Sequence, residues 1–266
     1  MDRSVSCRFD AELDGVSDVV LSFAVAAAAT VASESISVTL GGSPVEVTEL
    51  VEEHGSRLHV VNGLGPGRLE ATYSASISGR ADPAPVTPID LIRYTRPSRY
   101  CESDRLAPFA RAEFGSLAGL DLVEAVSSWV GTRIAYISGS SRPTDGAVAT
   151  LLAGQGVCRD FAHLVVAILR GCDLPARLAS VYAPGLQPMD FHAVAEAYVD
   201  GAWLVVDATC LAPRSAMVRI ATGRDAADTA FLTTIGDRVD MGWLEVMALT
   251  DGPLPVDDVD VPVPLG

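Results

Sequence analysis

The chain has 266 residues, of which 49% are hydrophobic, enough to bury the core of one large domain or two modest ones. Nineteen basic residues against 34 acidic ones give a net charge of −15 at pH 7. This field repels nucleic acid and anionic membranes, so we expect neither among the partners of the protein.

The beginning of the chain, MDRSVSCRFDAELDG, lacks a basic segment followed by an apolar one, so we expect no secretory signal. The longest apolar stretch, residues 19–32, is too short to span a bilayer. Five scattered cysteines are typical of reduced thiols in a cytosol rather than of a disulfide framework. These features predict a cytoplasmic protein. Because no C-x-x-C pair occurs, we expect no structural metal, and nothing in the sequence indicates another cofactor.

Residues 1–80 predict a small all-β, sandwich-like domain. Short β-favouring runs alternate with turn residues in this part of the chain: VVLSFAV, SISVTL, PVEVTELV, RLHVV and RLEATYSASI. Such regular spacing is typical of an antiparallel sandwich or barrel. Residues 81–99 are rich in proline and predict an extended linker.

Residues 100–250 predict a second domain of the α+β class, in which helices come first and strands follow. Apolar periodicity favours helices over 104–114, 120–134 and 145–153, and a further helix that begins near Cys158. Downstream, PARLASVYA, FHAVAEAYV, AWLVVDAT and MVRIAT have the period of strands. The acidic, proline-rich end, residues 251–266, predicts a loose tail.

Cys158 follows a glycine-rich turn and lies on the first turn of the predicted helix GQGVCRDFAHLVVAILRG. Unpaired amides and the positive dipole end at a helix N-terminus stabilise a thiolate, which is the nucleophilic form of cysteine. The apolar residues that follow on the same side, from Phe161 to Leu169, would anchor the helix against a sheet. A cysteine buried only for packing is the alternative for this position.

Asp200-Gly201 predicts a tight hairpin turn that brings a histidine and an aspartate together. A two-residue loop pairs Val199 with Ala202, so that His192 and Asp207 become diagonal neighbours on one face, within reach of each other's side chains. A bulged three-residue turn would place Asp207 on the other face. In isolation, His192 could be a half-buried core histidine and Asp207 a strand-end cap. Together with Cys158 they form a candidate Cys-His-Asp triad, in which the aspartate orients the imidazole.

Four segments resemble the bacterial transglutaminase-like superfamily, also described as transglutaminase-like cysteine peptidases. They are PSRYCESDRLAPFA, GVCRDFAHL, MDFHAVAEAYVDGAWLVVDAT and RIATGRDAADTAFLTTIG, and the resemblance covers residues 95–240. It implies a papain-like, transglutaminase-like catalytic core, with a nucleophile helix packed on an antiparallel sheet. It also implies that Cys158, His192 and Asp207 are the catalytic residues. The calcium loops of animal transglutaminases are not recognisable, so calcium dependence is not carried over.

The resemblance implies thiol acyl transfer on a peptide or protein substrate. The expected activity is hydrolysis or acyl transfer at peptide or glutamine amide bonds through a thioester. The alternatives are a protein-crosslinking transamidase and a non-catalytic binding or scaffolding module that retains the fold. Tyr136 and Gln155 are candidates for a second oxyanion donor beside the Cys158 amide, each with a core or loop role as the alternative. Asp160 and Asp190 could orient the substrate or only satisfy backbone amides. Cys210 could be a packed small residue or a redox partner of Cys158.

Overall fold

Alternation of buried and exposed side chains builds the long strands of the first part of the chain. In β1 and β7 every second residue is buried, as expected for strands with one face toward a core. The computed structural model describes residues 1–266. Its first strands are β1 (Arg3–Leu13), β2 (Ser17–Leu21), β3 (Val31–Leu40), β4 (Ser43–Pro44), β5 (Thr48–Val51), β6 (Arg57–Leu64) and β7 (Gly67–Ile77).

The rest of the chain supplies the helices and the remaining strands. The helices are α1 (Pro88–Arg93), α2 (Ser103–Phe114), α3 (Gly119–Arg133), α4 (Ala147–Ala153), α5 (Cys158–Gly171) and α6 (Ala226–Thr229). The strands are β8 (Ala135–Tyr136), β9 (Gln155–Gly156), β10 (Ala176–Tyr182), β11 (Phe191–Val199), β12 (Ala202–Val206), β13 (Val218–Gly223), β14 (Leu232–Gly236) and β15 (Val239–Thr250). None of these helices is both long enough and apolar enough to cross a membrane.

Two antiparallel sheets face each other in a β-sandwich. One has the strand order β15-β1-β7-β3-β4, and the other has the order β14-β2-β6-β5. Apolar residues from both sheets form a core that continues into the α+β unit through Tyr182, Val218 and Ile220. The sandwich and the α+β unit therefore share buried surface.

The α+β unit consists of α5 packed on the four-stranded antiparallel sheet β12-β11-β10-β13. Helices α2, α3 and α4 contact α5, so that the helix is enclosed by protein. The predicted fold class, an α+β catalytic core preceded by a small sandwich, is confirmed. The predicted helices agree with α2, α3 and α4 to within two residues at each end, and the helix predicted to begin near Cys158 is α5.

The predicted domain boundary at residue 250 is wrong, because the chain returns to the sandwich after α6. β14 pairs with β2, and β15 pairs with β1 over nearly its whole length. Residues 232–250 therefore complete the first unit rather than the second. The predicted linker, residues 81–99, is not wholly extended either, since Thr87 caps the short helix α1 inside it.

The prediction of a loose tail over residues 251–266 is also wrong. The Val205 amide donates to the carbonyl of Val263 at 2.8 Å, so the tail adds a backbone hydrogen bond at β12. Arg214 forms an ion pair with Asp257, with Nε and Oδ2 separated by 2.9 Å. Leu265 is buried in an apolar cluster with residues of β10, β11 and β12, in the sheet of the α+β unit. The tail is thus packed on the α+β unit despite its proline and carboxylate content.

The packed tail gives a direct stability prediction. Leu265 is 1% exposed whereas Val256, in the same tail, is 96% exposed. We expect Leu265→Ala to lower the free energy of unfolding by about 2–3 kcal/mol, because it deletes buried methyl groups and leaves a cavity. Val256→Ala, the matched control, should change it by less than about 0.5 kcal/mol. Urea unfolding followed by circular dichroism measures both, and equal values for the two variants would contradict the packing of the tail.

Candidate active site

Cys158 is the first residue of a helix that is otherwise enclosed by protein. Every residue from Asp160 to Gly171 is buried, whereas Cys158 is partly exposed. The prediction that the cysteine begins a helix is confirmed. Amides of the first helical turn have no acceptor within the helix and carry a partial positive charge. The sulfur therefore stands at a position that solvent reaches and that favours negative charge.

Asp160 holds the start of α5 and the preceding loop in place. Its Oδ2 accepts from the Val157 amide at 2.8 Å, and its Oδ1 accepts from the Ser141 hydroxyl at 2.9 Å. Arg159 donates to the Ser141 hydroxyl as well, at 2.8 Å. Both oxygens of the Asp160 carboxylate are thus hydrogen-bonded within the protein and buried. These contacts favour a positioning role, and the predicted contact with substrate stays a prediction.

Tyr136 lies beside Cys158 because of a short parallel strand pairing. β8 and β9 place Ala135 opposite Gln155 and Tyr136 opposite Gly156. The Tyr136 ring packs on Phe161, with 5.8 Å between ring centroids. Its hydroxyl lies near the Cys158 backbone amide.

The surroundings of the Tyr136 hydroxyl keep it protonated. Burial and the nearby Cys158 side chain raise the pKa of Tyr136 to about 12, although the nearby Cys158 amide opposes this shift. A protonated phenol can donate a hydrogen bond to a developing oxyanion. Gln155 is partly exposed in the adjoining strand.

The predicted hairpin register is confirmed. β11 and β12 pair Val199 with Ala202 and Ala195 with Val206, as a two-residue turn requires. Just beyond the end of this ladder, His192 Nε2 and Asp207 Oδ2 are 2.8 Å apart. Both side chains are buried. The structure thus brings the predicted histidine and aspartate into contact.

Thr209 fixes the Asp207 carboxylate from its other side. The Thr209 amide and hydroxyl both donate to Asp207 Oδ1, at 3.0 and 2.6 Å. This role is not among the predictions from the sequence, although an aspartate side chain commonly accepts from the backbone amide two residues further along the chain. With Oδ1 occupied in this way, Oδ2 is directed to the imidazole.

The second ring nitrogen of His192, Nδ1, is buried and has no hydrogen-bond partner within the protein. Burial lowers the pKa of His192, but the charge and hydrogen bond of Asp207, together with Cys158, outweigh burial and raise it to about 10. For Asp207 the effect of burial has the opposite sign, because burial raises the pKa of a carboxyl group. The charge of His192 and the hydrogen bonds from His192 and Thr209 outweigh burial, so the pKa of Asp207 is lowered overall. The arrangement therefore favours an imidazolium held between a carboxylate and a sulfur.

Asp190 lies two residues before His192 and is exposed. Its Oδ1 accepts from the Phe191 amide at 2.7 Å. The charged group that acts on the pKa of Asp190 is His192, which lowers it. Although the residue as a whole is exposed, partial burial of the carboxylate raises the pKa of Asp190. An unpaired carboxylate therefore stands next to the histidine.

The other histidines lie apart from this site. His163, in the middle of α5, accepts from the Ala226 amide at 3.1 Å and stacks on Tyr100, while His54 and His59 pair with carboxylates near or in the sandwich. Cys210 is exposed, so its interpretation as a packed small residue is wrong.

Comparisons with known proteins show the family to which the chain belongs. The family model of the transglutaminase-like superfamily matches residues 110–208. A crystal structure of a "putative cysteine protease" from Cytophaga hutchinsonii is 30% identical, with a TM-score of 0.87, and the match covers 97% of this chain and 94% of that one. The chain therefore belongs to the transglutaminase-like superfamily. An uncharacterized protein of Mycobacterium leprae, ML0607, is 28% identical over 124 residues, which are 42% of this chain and 43% of the length of that relative.

The carboxylate on His192 gives a pH prediction. In Asp207→Asn the charge that raises the pKa of His192 is gone, while burial, which lowers it, remains. We expect the pKa of His192 to fall from about 10 toward or below the value of about 6.5 found for free histidine. NMR titration of the imidazole carbons measures it. The neutral His163, whose pKa burial lowers to about 3, is the internal control and should not change. An unaltered titration of His192 would mean that Asp207 does not set its charge.

Proposed function

We propose that the protein is a thiol-dependent hydrolase that cleaves peptide or glutamine amide bonds, with Cys158, His192 and Asp207 as its catalytic triad. The observation that carries this proposal is the 2.8 Å hydrogen bond between His192 and Asp207 beside a cysteine at a helix N-terminus. A nucleophile, a base and an orienting carboxylate in this order are the parts that thiol acyl transfer needs. Membership of the superfamily and the Cytophaga hutchinsonii relative support the general kind of chemistry.

In the first half of the proposed reaction, the Cys158 thiolate adds to the carbonyl carbon of the substrate amide, and the electron pair of the C=O bond moves to oxygen. His192 then transfers the proton on Nδ1 to the leaving nitrogen as the C–N bond breaks. The products are a thioester and an amine or ammonia. Asp207 holds Nε2 throughout, which keeps Nδ1 directed to the reacting atoms.

The tetrahedral oxyanion needs donors that are fixed in advance. The Cys158 backbone amide is one, and we propose the Tyr136 hydroxyl as the second because it lies at that amide. Gln155 is the other candidate, in the adjoining strand. In the second half of the reaction, His192 accepts a proton from water, which attacks the thioester carbon. The C–S bond breaks, which regenerates the Cys158 thiolate and releases the acyl group as a carboxylic acid.

Transfer of the acyl group to an amine would make the protein a transamidase instead. All 19 basic residues of the chain are arginine, so it carries no lysine amine that could capture its own thioester. Any lysine-linked product in an assay must then come from the substrate. This composition makes the distinction between hydrolysis and transamidation experimentally clean.

The triad is tested with a library of glutamine-containing peptides, with and without methylamine, analysed by mass spectrometry. We expect Cys158→Ala to lower product formation at least about 10³-fold, because the nucleophile is removed. Cys172→Ala, at the opposite end of the same helix, is the matched control and should keep activity within about twofold.

Each outcome of this assay discriminates between the candidate functions. Methylamine adducts in place of hydrolysis products would indicate a transamidase. Product formation that persists in Cys158→Ala would remove the thiol mechanism. The complete absence of products with the unmodified protein, together with an ordinary alkylation rate at Cys158, would favour the non-catalytic module.

We further propose that Asp190 binds a cationic group of the substrate. Asp190 lies close enough to His192 and Tyr136 for its charge to act on both. No arginine neutralises Asp190, and the net charge of −15 attracts cations to the protein as a whole.

Asp190→Asn should therefore weaken kcat/KM for peptides with an arginine or lysine next to the cleaved amide by about fivefold, the size expected for an exposed ion pair. Peptides with a neutral residue there should be affected less than twofold. Asp200→Asn, in the turn at the other end of β11, removes the same charge and serves as the control. A loss of equal size for cationic and neutral peptides would contradict a charge-based role.

A further inference from the structure

Six aromatic side chains form a closed ring of contacts between the sandwich and the strand that carries His192. Neighbouring ring centroids are 5.3 to 6.5 Å apart. Such spacings are typical of stabilising aromatic pairs. In order around the ring, the members are Phe9, Phe23, Tyr73, Tyr182, Phe191 and Phe231.

Hydrogen bonds fix the ring where it crosses between the two units. The Tyr182 hydroxyl, from β10, donates to the carbonyl of Phe23 in the sandwich at 2.7 Å. The Tyr73 hydroxyl accepts from the Val25 amide at 3.1 Å and donates to Glu34 at 2.7 Å. Tyr182 and Tyr73 are buried. Satisfied hydroxyls in a buried aromatic cluster hold its members in one arrangement.

The strand needs a restraint at this end. β11 pairs with β10 from Phe191 onward, but its pairing with β12 begins only at Ala195. The backbone that carries His192 is therefore held by a neighbouring strand on one edge alone. Phe191 precedes His192, and side chains of successive strand residues point to opposite faces. The ring thus holds one face of the segment while Asp207 holds the imidazole on the other.

We infer that the sandwich is part of the catalytic unit, in which Phe231 positions His192 by clamping Phe191. Phe231 is the bridging member, since its ring lies 6.0 Å from Phe9 of β1 and 5.3 Å from Phe191 of β11. This inference rests on the proposed role of His192. It makes Phe231 a positioning residue that contacts no reacting atom. It also assigns a function to the chain segment that returns to the sandwich after α6.

The test compares Phe231→Leu with Phe109→Leu. Phe109 belongs to a separate aromatic group in α2 and α3, where its ring makes two aromatic contacts, with Phe114 and Trp129. Both variants lose two aromatic contacts at a half-buried position, so they should lose similar thermal stability. Only Phe231→Leu should disturb His192.

The readout is the rate of alkylation of Cys158 by iodoacetamide between pH 5 and 9, quantified at that residue by mass spectrometry, because it needs no knowledge of the substrate. In Phe231→Leu we expect the rate at pH 6 to fall about 10-fold and the pH profile to move upward, since a displaced imidazolium no longer stabilises the thiolate. Phe109→Leu should stay within about twofold of the unmodified protein. Phe231→Tyr, which keeps an aromatic side chain at this position, should react at the rate of the unmodified protein.

The outcomes separate this inference from the proposed function. If Cys158 of the unmodified protein reacts at pH 6 no faster than the exposed Cys210, the proposed function fails. If it reacts faster but Phe231→Leu matches Phe109→Leu, the inference about the ring fails. Should Phe231→Leu unfold at the assay temperature, Phe231→Met carries the same test, because its unbranched side chain has a similar volume and fills irregular gaps better.

Discussion

A two-residue turn at Asp200 and Gly201 fixes the register of β11 against β12, and the chemistry of the site depends on that register. The turn residues have φ values of 51° and 88°, the left-handed geometry of the turns that fit twisted hairpins. Because side chains alternate along a strand, a slip of one residue would turn His192 or Asp207 to the opposite face. The short turn therefore determines whether a buried carboxylate reaches the imidazole at all.

A buried ionic cluster joins the three strands around this register. Glu196 of β11 accepts from Arg177 of β10 at 2.8 Å and from Arg219 of β13 at 2.6 Å. Burial raises the pKa of Glu196, but the two guanidinium groups outweigh it and lower the pKa to about 2. The two guanidinium groups carry one more charge than Glu196 balances. The Arg177 guanidinium also lies over the Trp203 ring, with 4.1 Å between its Cζ and the ring centroid, which stabilises its charge. Removal of Glu196 would leave two buried guanidinium charges without their carboxylate, so the cluster ties the strands to one arrangement.

Three aspartates near Cys158 in the sequence or in the fold differ in the hydrogen bonds that their carboxylates make. Asp160 lies two residues after Cys158, and its oxygens hold the helix start and the preceding loop. Asp207 is also fully hydrogen-bonded, but one of its partners is the histidine. Of these three aspartates, only Asp190 has a carboxylate oxygen without a hydrogen-bond partner in the protein. Similar side chains near one cysteine thus differ in role according to which hydrogen bonds are already made.

The sequence by itself determined the helix that begins at Cys158, the hairpin and the contact of His192 with Asp207. Helix starts and tight turns are set by neighbours in the chain, whose propensities and periodicity are visible in the sequence. Only the tertiary structure decided that residues 232–250 complete the sandwich and that the tail packs on the α+β unit. It also decided that six aromatic side chains close into a ring of contacts beside the strand of His192. Those pairings depend on complementary surfaces from segments far apart in the chain. An exposed strand edge or an apolar side chain does not encode its partner locally.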